Sequence, residues 1–110
     1  MIDWKRVREL REEIGSDAFE EVLDLFLEEV ESALVMLRCT SDAQGLEAQF
    51  HFLKGSALNL GFEALAEMCE ENERKARAGG AANVRVTEVI TGYEASKAVF
   101  LAGISEGIPA

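Results

Sequence analysis

The chain of 110 residues contains one histidine, His51, which stands in the segment Leu46-Glu-Ala-Gln-Phe-His-Phe-Leu-Lys-Gly-Ser-Ala-Leu-Asn-Leu-Gly61. Set on a helix at about 100° per residue, Leu46, Phe50, Leu53, Ala57 and Leu60 recur at spacings of four, three, four and three, the stripe a helix turns toward a core. His51 falls off that stripe, on a face shared with Glu47, Lys54, Gly55 and Leu58. An imidazole placed there points to solvent, where its neutral form is a nucleophile near pH 7. Gly55, one turn along, is unusual, because glycine inside a helix costs about 0.5–1 kcal/mol relative to alanine. With no side chain there and only the methyl of Ala48 on the other side, another molecule's backbone can come close to the ring. Lys54 adds an ammonium on a flexible stem, able to reach a negative group that approaches or is attached to the ring. The group amounts to a nucleophile, a cation and a clearing on one helical face.

The ordinary reading competes with this one. A lone histidine is most often a plain surface or core residue, and interior glycines often mark close helix–helix packing. Gly55 lies on the wrong face for such packing, which favours the chemical reading.

These residues also resemble a family. His51-Phe52-Leu53-Lys54-Gly55-Ser56-Ala57-Leu58-Asn59-Leu60-Gly61 is similar to the central motif of histidine-containing phosphotransfer (HPt) domains, H-x-L-K-G-[SG]-[SA]-x-x-[LI]-G, and the likeness continues through Ala64-Leu65-Ala66-Glu67-Met68-Cys69. The resemblance implies that an aspartyl phosphate on a receiver domain, or a histidine kinase, donates a phosphoryl group to His51 through Nε2, and that a second receiver's aspartate later takes it. It implies that Lys54 offsets phosphoryl charge, that Gly55 supplies clearance, and that Gln44, Glu47, Ala48 and Leu58 form the rim a partner contacts. The Mg²⁺ and acidic pocket that phosphoryl transfer requires are supplied in this family by the receiver, so no cofactor is expected on this chain. Neither a G-x-x-x-x-G-K-[ST] loop nor another nucleotide motif is present, and no ATP-dependent autokinase activity is expected. Two other classes compete: a helical interaction module whose histidine is incidental, and a receiver-directed phosphatase, which would have only Gln44, Glu47 and Asn59 near the ring to position water.

The elements that must carry this face follow from composition and periodicity. Forty-eight per cent hydrophobic residues, with one proline at Pro109, suit one domain of long helices over residues 1–110. The net charge of −10 repels phosphate backbones and anionic lipids, which disfavours nucleic acid and membrane surfaces as partners. No apolar run approaches the ~20 residues that span a bilayer, and the N-terminus does not read as a secretory signal. A cytoplasmic monomer is expected, with Cys39 and Cys69 as free thiols in packing roles.

In order, Asp3 caps a first short helix with Val7, Leu10 and Ile14 inward and Gly15 at its end, and Trp4 staples it to the rest. A second, long helix starts at Ser16 or Asp17, with Asp17 and Glu20 as a capping box. It carries Phe19, Val22 or Leu23, Phe26, Val30, Ala33 and Leu37 on one side and a solvated acidic face including Glu31 on the other. Asp42 caps the third, from about Ala43 to Leu60, closed by Gly61. The fourth runs from about Phe62 to Ala78, with Leu65, Met68 or Cys69 and Ala76 inward. Asn72 stands on that stripe where HPt domains usually have an apolar residue. Asn83 caps the fifth, from Val84 to about Leu101, with Gly92 as its weak point, and residues 103–110 form a frayed tail. Such helices bury their stripes best as an all-α, antiparallel up-down four-helix bundle with the short N-terminal helix added.

Overall fold

The computed structural model describes residues 1–108, and the expected ends of the chain at Pro109 and Ala110 lie outside them. Among the described residues there are helices and no strands: α1 (Trp4–Ile14), α2 (Phe19–Arg38), α3 (Ala43–Leu60), α4 (Glu63–Arg77) and α5 (Val86–Ser105), with a single 3₁₀ turn at Ala81–Asn83. Val86, Thr87, Val89 and Ile90, β-branched residues that favour a strand locally, lie in the first turns of α5 and fold as helix. Among these described residues, no helix is long and apolar enough to cross a membrane.

The most extensive contact is that of α3 with α4, while α2 packs on α3, α5 on α4, and α1 against α3. At the centre, Phe50 of α3, Phe62, Leu65 of α4 and Phe100 of α5 are completely buried, together with Leu37, Leu53 and Leu60. The stripe Leu46, Phe50, Leu53, Ala57 and Leu60 is the buried row of α3. Burying that row fixes the helix's rotation, and the face carrying His51 is thereby set outward.

Both ends of α3 are built as the sequence indicates. Asp42 accepts a hydrogen bond from the Gly45 backbone N–H at 2.8 Å, and Gly61 takes a left-handed φ of 82°. Gly61 has a second reason to be glycine: a Cβ there would lie 2.7 Å from the Asp3 carbonyl, whose own residue donates its N–H to the Gly61 carbonyl at 2.7 Å. The start of α1, which Asp3 caps through the Arg6 N–H, is thus bonded to the end of the helix that carries the histidine.

Four sequence expectations change. Ser16 and Asp17 do not start α2; residues 16–18 form a turn after Gly15, Ala18 is the cap residue, and no side-chain capping bond forms. Burial of Phe19 sets that start, and Asp17 stays in solvent. Asn83 does not cap α5. The N–H of Arg85, just before the helix, is instead accepted by the buried Asn72 of α4 at 3.1 Å, and the Asn72 amide donates to the Met68 carbonyl at 2.8 Å. The polar residue on the apolar stripe therefore ties α4 to the start of α5. Helix α5 continues past Leu101 to Ser105, because Gly103 is buried against Trp4, whose ring stacks on Phe100 at 6.1 Å and 5°. Of the expected tail, residues 103–105 are thus helix and 106–107 a turn. Finally, Cys39 is exposed, so only Cys69 packs; burial pushes its thiol up to about 12.

Glu31 stays on the solvated face of α2, its side chain 45% exposed, and is also a tie between helices. It accepts from the Tyr93 hydroxyl and from Lys97, each at 2.6 Å, bridging α2 to α5.

The Gly103 contact makes a testable claim. A methyl at this position would overlap the indole of Trp4, so Gly103→Val is expected to destabilise by about 1–3 kcal/mol through overpacking. The checks are a lower urea midpoint and altered emission of the single tryptophan. An unchanged midpoint would contradict the packing.

Candidate functional site

On the outer face of α3, the His51 side chain is 70% exposed, while Glu73, the residue that holds it, is 3% exposed. Nδ1 of the ring lies 3.0 Å from Glu73 Oε2. Glu73 projects from α4, which packs along the site helix, and its other oxygen, Oε1, pairs with Lys54 Nζ at 2.8 Å. Arg77, one turn along α4, donates from Nη2 to Glu73 Oε2 at 2.9 Å and from Nε to Glu47 Oε2 at 2.9 Å. A buried carboxylate therefore sits among three side chains able to donate to it, and Arg77 ties it back to α3 through Glu47.

The charges explain why this carboxylate is tolerated. Burial pushes the Glu73 carboxyl upward, but hydrogen bonds from Lys54 and His51, with the attraction of both groups, outweigh it and hold the pKa below its ordinary value. An ionised carboxylate only accepts hydrogen bonds, so the hydrogen between Glu73 and the ring belongs to Nδ1. In the neutral imidazole this leaves the lone pair on Nε2, the nitrogen turned from Glu73 toward solvent. The arrangement can present a nucleophilic nitrogen whose opposite face is backed by negative charge.

The residues expected around the ring meet different fates. Nothing lies within 4 Å of where a Gly55 side chain would be, so the clearing exists. Gln44, Glu47 and Ala48 line, with His51, Glu73 and Arg77, an open depression beside the ring. Leu58 is 57% exposed on the same helix, but does not line that depression. Lys54 is beside the ring, yet its ammonium is engaged by Glu73 rather than standing free. Glu47 is likewise engaged, by Arg77. Among the described residues no group of three His, Cys, Asp or Glu side chains could hold a metal ion.

Glu73 and Arg77 were missed from sequence. The available signal was slight: Leu65, Cys69 and Ala76 make an inward row, and Glu73, four residues after Cys69, puts an acid beside it with an arginine four further on. What gives that acid its meaning is a histidine and a lysine on another helix.

Comparison with known proteins identifies the family. Two curated relatives, each described as phosphorelay protein LuxU, from Vibrio vulnificus strains YJ016 and CMCP6, are 34% identical to the chain over 85 residues. The match covers 74% of this chain and 73% of the relative in each case. No solved structure matches significantly. The family model of the Hpt domain matches residues 6–98, which include His51, its lysine and its buried glutamate. The chain belongs to the family of Hpt domains, the histidine-containing phosphotransfer domains.

Proposed function

We propose that this chain is a phosphocarrier of a two-component relay, with His51 as its phosphoacceptor. The observation that carries the reading is the exposed ring whose Nδ1 is held by a buried carboxylate. Family membership and the likeness to phosphorelay proteins support the same reading. The Nε2 lone pair attacks the phosphorus of an aspartyl phosphate on a receiver domain. As the N–P bond forms, the P–O bond to the aspartate breaks and its electrons return to the carboxylate. The ring, now cationic, keeps its Nδ1 hydrogen against Glu73, which offsets the new charge. Donation to a second receiver reverses these events: the aspartate attacks, the N–P electrons return to Nε2, and the ring is neutral again. No proton has to leave the ring in either direction. A histidine kinase is an alternative donor to the same nitrogen.

Lys54 holds Glu73 in place and brings positive charge near the phosphoryl oxygens, Gly55 admits the partner's backbone, and Gln44, Glu47, Ala48 and Leu58 meet its surface. Mg²⁺ belongs to the receiver's acidic pocket, with no cofactor held by this chain. The four longer helices, α2 to α5, form the antiparallel up-down bundle, with α1 laid on it, and the carrier acts as a cytoplasmic monomer.

Incubation with a phosphorylated receiver tests the assignment. The expected result is an acid-labile, alkali-stable label on the peptide that contains His51; label on another peptide would contradict it. Gly55 gives a second check with opposite signs. Because open space surrounds it, Gly55→Ala is expected to raise stability by about 0.5–1 kcal/mol. Gly55→Gln, projecting a longer chain into the clearing, is expected to slow transfer at least about tenfold, the effect of about 1.4 kcal/mol of lost docking, without lowering the urea midpoint. Normal transfer by Gly55→Gln would remove the clearing from the account.

A further inference from the structure

The seam between α2 and α5 uses neither of the helices that carry His51 and Glu73, and shares no residue with the depression beside the ring. Helix α2 meets α5 less closely than it meets α3, and a groove of about 350 Å³ lies between them. From α2 come Glu31, Leu34, Val35 and Arg38, and from α5 come Ile90, Tyr93, Glu94 and Lys97. Both sets are spaced by three, one and three, so each helix turns one continuous face into the groove. Glu31 is neutralised there by Lys97 and the Tyr93 hydroxyl, at 2.6 Å each, which leaves Leu34, Val35, Ile90 and the Tyr93 ring as an apolar centre. Val35 is 64% exposed. On the α2 bank Arg38 is exposed, and on the α5 bank Glu94 is exposed; among the described residues neither makes a hydrogen bond or ion pair. An apolar centre between two helical faces, with unpaired charge of opposite sign on the two banks, is the complement of a third, amphipathic helix.

We propose that the α2–α5 groove docks an amphipathic helix of a partner protein. Its apolar row packs on Leu34, Val35, Ile90 and Tyr93, with an acidic residue toward Arg38 and a basic one toward Glu94. The net charge of −10 disfavours a second copy of this chain as the occupant. Because the groove and the histidine lie on different helices, a helix seated there leaves the His51 face open. On the carrier reading above, one partner then holds the protein while receivers exchange phosphoryl groups with it.

The test titrates the ¹⁵N-labelled full chain with a synthetic alanine-based peptide of about 18 residues, long enough to hold a helix. The peptide carries leucines at i, i+3, i+4 and i+7, with a glutamate on one side of that row and a lysine on the other. Saturable amide shifts are expected in residues 31–38 and 90–97, with those of His51 and Gly55 in place. Val35→Glu sets a charge in the apolar centre from an exposed position, and is expected to weaken binding at least about tenfold while leaving the urea midpoint and transfer to His51 at their wild-type values. Arg38→Glu is expected to weaken it about fivefold, the size of an exposed ion-pair contribution. A peptide with lysine in place of its glutamate is expected to reverse that preference, binding Arg38→Glu more tightly than the wild type. Transfer from a phosphorylated receiver is expected to continue with the peptide bound. Shifts centred on α3 and α4, undiminished binding by Val35→Glu, no reversal on charge exchange, or a peptide that blocks transfer would each overturn the docking assignment while leaving His51 as acceptor. So would self-association that Val35→Glu abolishes, which gives the groove to a second copy, or binding of dodecanoate in the groove with none of the peptide.

Discussion

His51→Gln is expected to abolish phosphoryl acceptance altogether while leaving the helical signal and the urea midpoint close to those of the wild type. The loss is complete because the chain has no second histidine. The fold survives because the side chain is 70% exposed and its polar contact is with Glu73, which a glutamine can partly replace as a donor from its amide. Phosphoryl transfer from a labelled receiver, read beside a denaturation curve, checks both halves. The same variant separates carrier from interaction module: a module with an incidental histidine would still bind its partner and would show no transfer to lose. Labelling that persists in His51→Gln would contradict the assignment.

The second large effect is expected at Glu73. Glu73→Leu removes the acceptor that holds Nδ1–H and the charge that offsets the ring as the N–P bond forms. A hydrogen bond to a charged group is worth about 1.5–3 kcal/mol, and about 1.4 kcal/mol is tenfold in rate, so transfer is expected to slow roughly 10- to 100-fold. Glu73→Gln keeps an acceptor but no charge, and is expected to fall between that variant and the wild type. Stability follows with a definite sign. The folded-state pKa of Glu73 is held below its ordinary value of 4.5 by Lys54 and His51 despite burial. Its stabilising contribution is therefore fully present above about pH 4.5 and is lost as the pH falls through the lower folded-state value. The stability advantage of the wild type over Glu73→Gln should shrink on acidification below that pH, as urea midpoints along a pH series would show. A Glu73→Leu protein that folds and transfers at the wild-type rate would remove the carboxylate from the mechanism.

How much of this was legible beforehand depends on the range of the interaction involved. The acceptor helix was readable almost residue by residue, because its limits come from local chemistry: Asp42 as cap, Gly61 at left-handed φ, and a 3–4 spacing of apolar residues that fixes which face is outward. Exposure of His51, Gly55 and Leu58 followed from that rotation alone. The start of α2 was misread because local capping propensity at Asp17 yielded to burial of Phe19. The length of α5 was misread because glycine at position 103 reads locally as a helix breaker, whereas its use is to admit the Trp4 ring. Asn72 looked out of place on an apolar stripe until its partner, the Arg85 N–H, was in view. Glu73 is the case of most consequence. From sequence it is one of many acids on a polar helix; only the packing of α4 on α3 buries it and sets it between His51 and Lys54.

The central claim concerns which ring nitrogen carries the hydrogen and which carries the phosphoryl group. Long-range ¹H–¹⁵N correlation of the imidazole, before and after phosphorylation, reads both directly. The expected result is a neutral His51 ring protonated at Nδ1 and bare at Nε2, with phosphorus bonded to Nε2 and the Nδ1 hydrogen retained after transfer. A hydrogen on Nε2 in the resting neutral ring, or phosphorus bonded to Nδ1, would contradict the role of Glu73 as the acceptor that orients the ring.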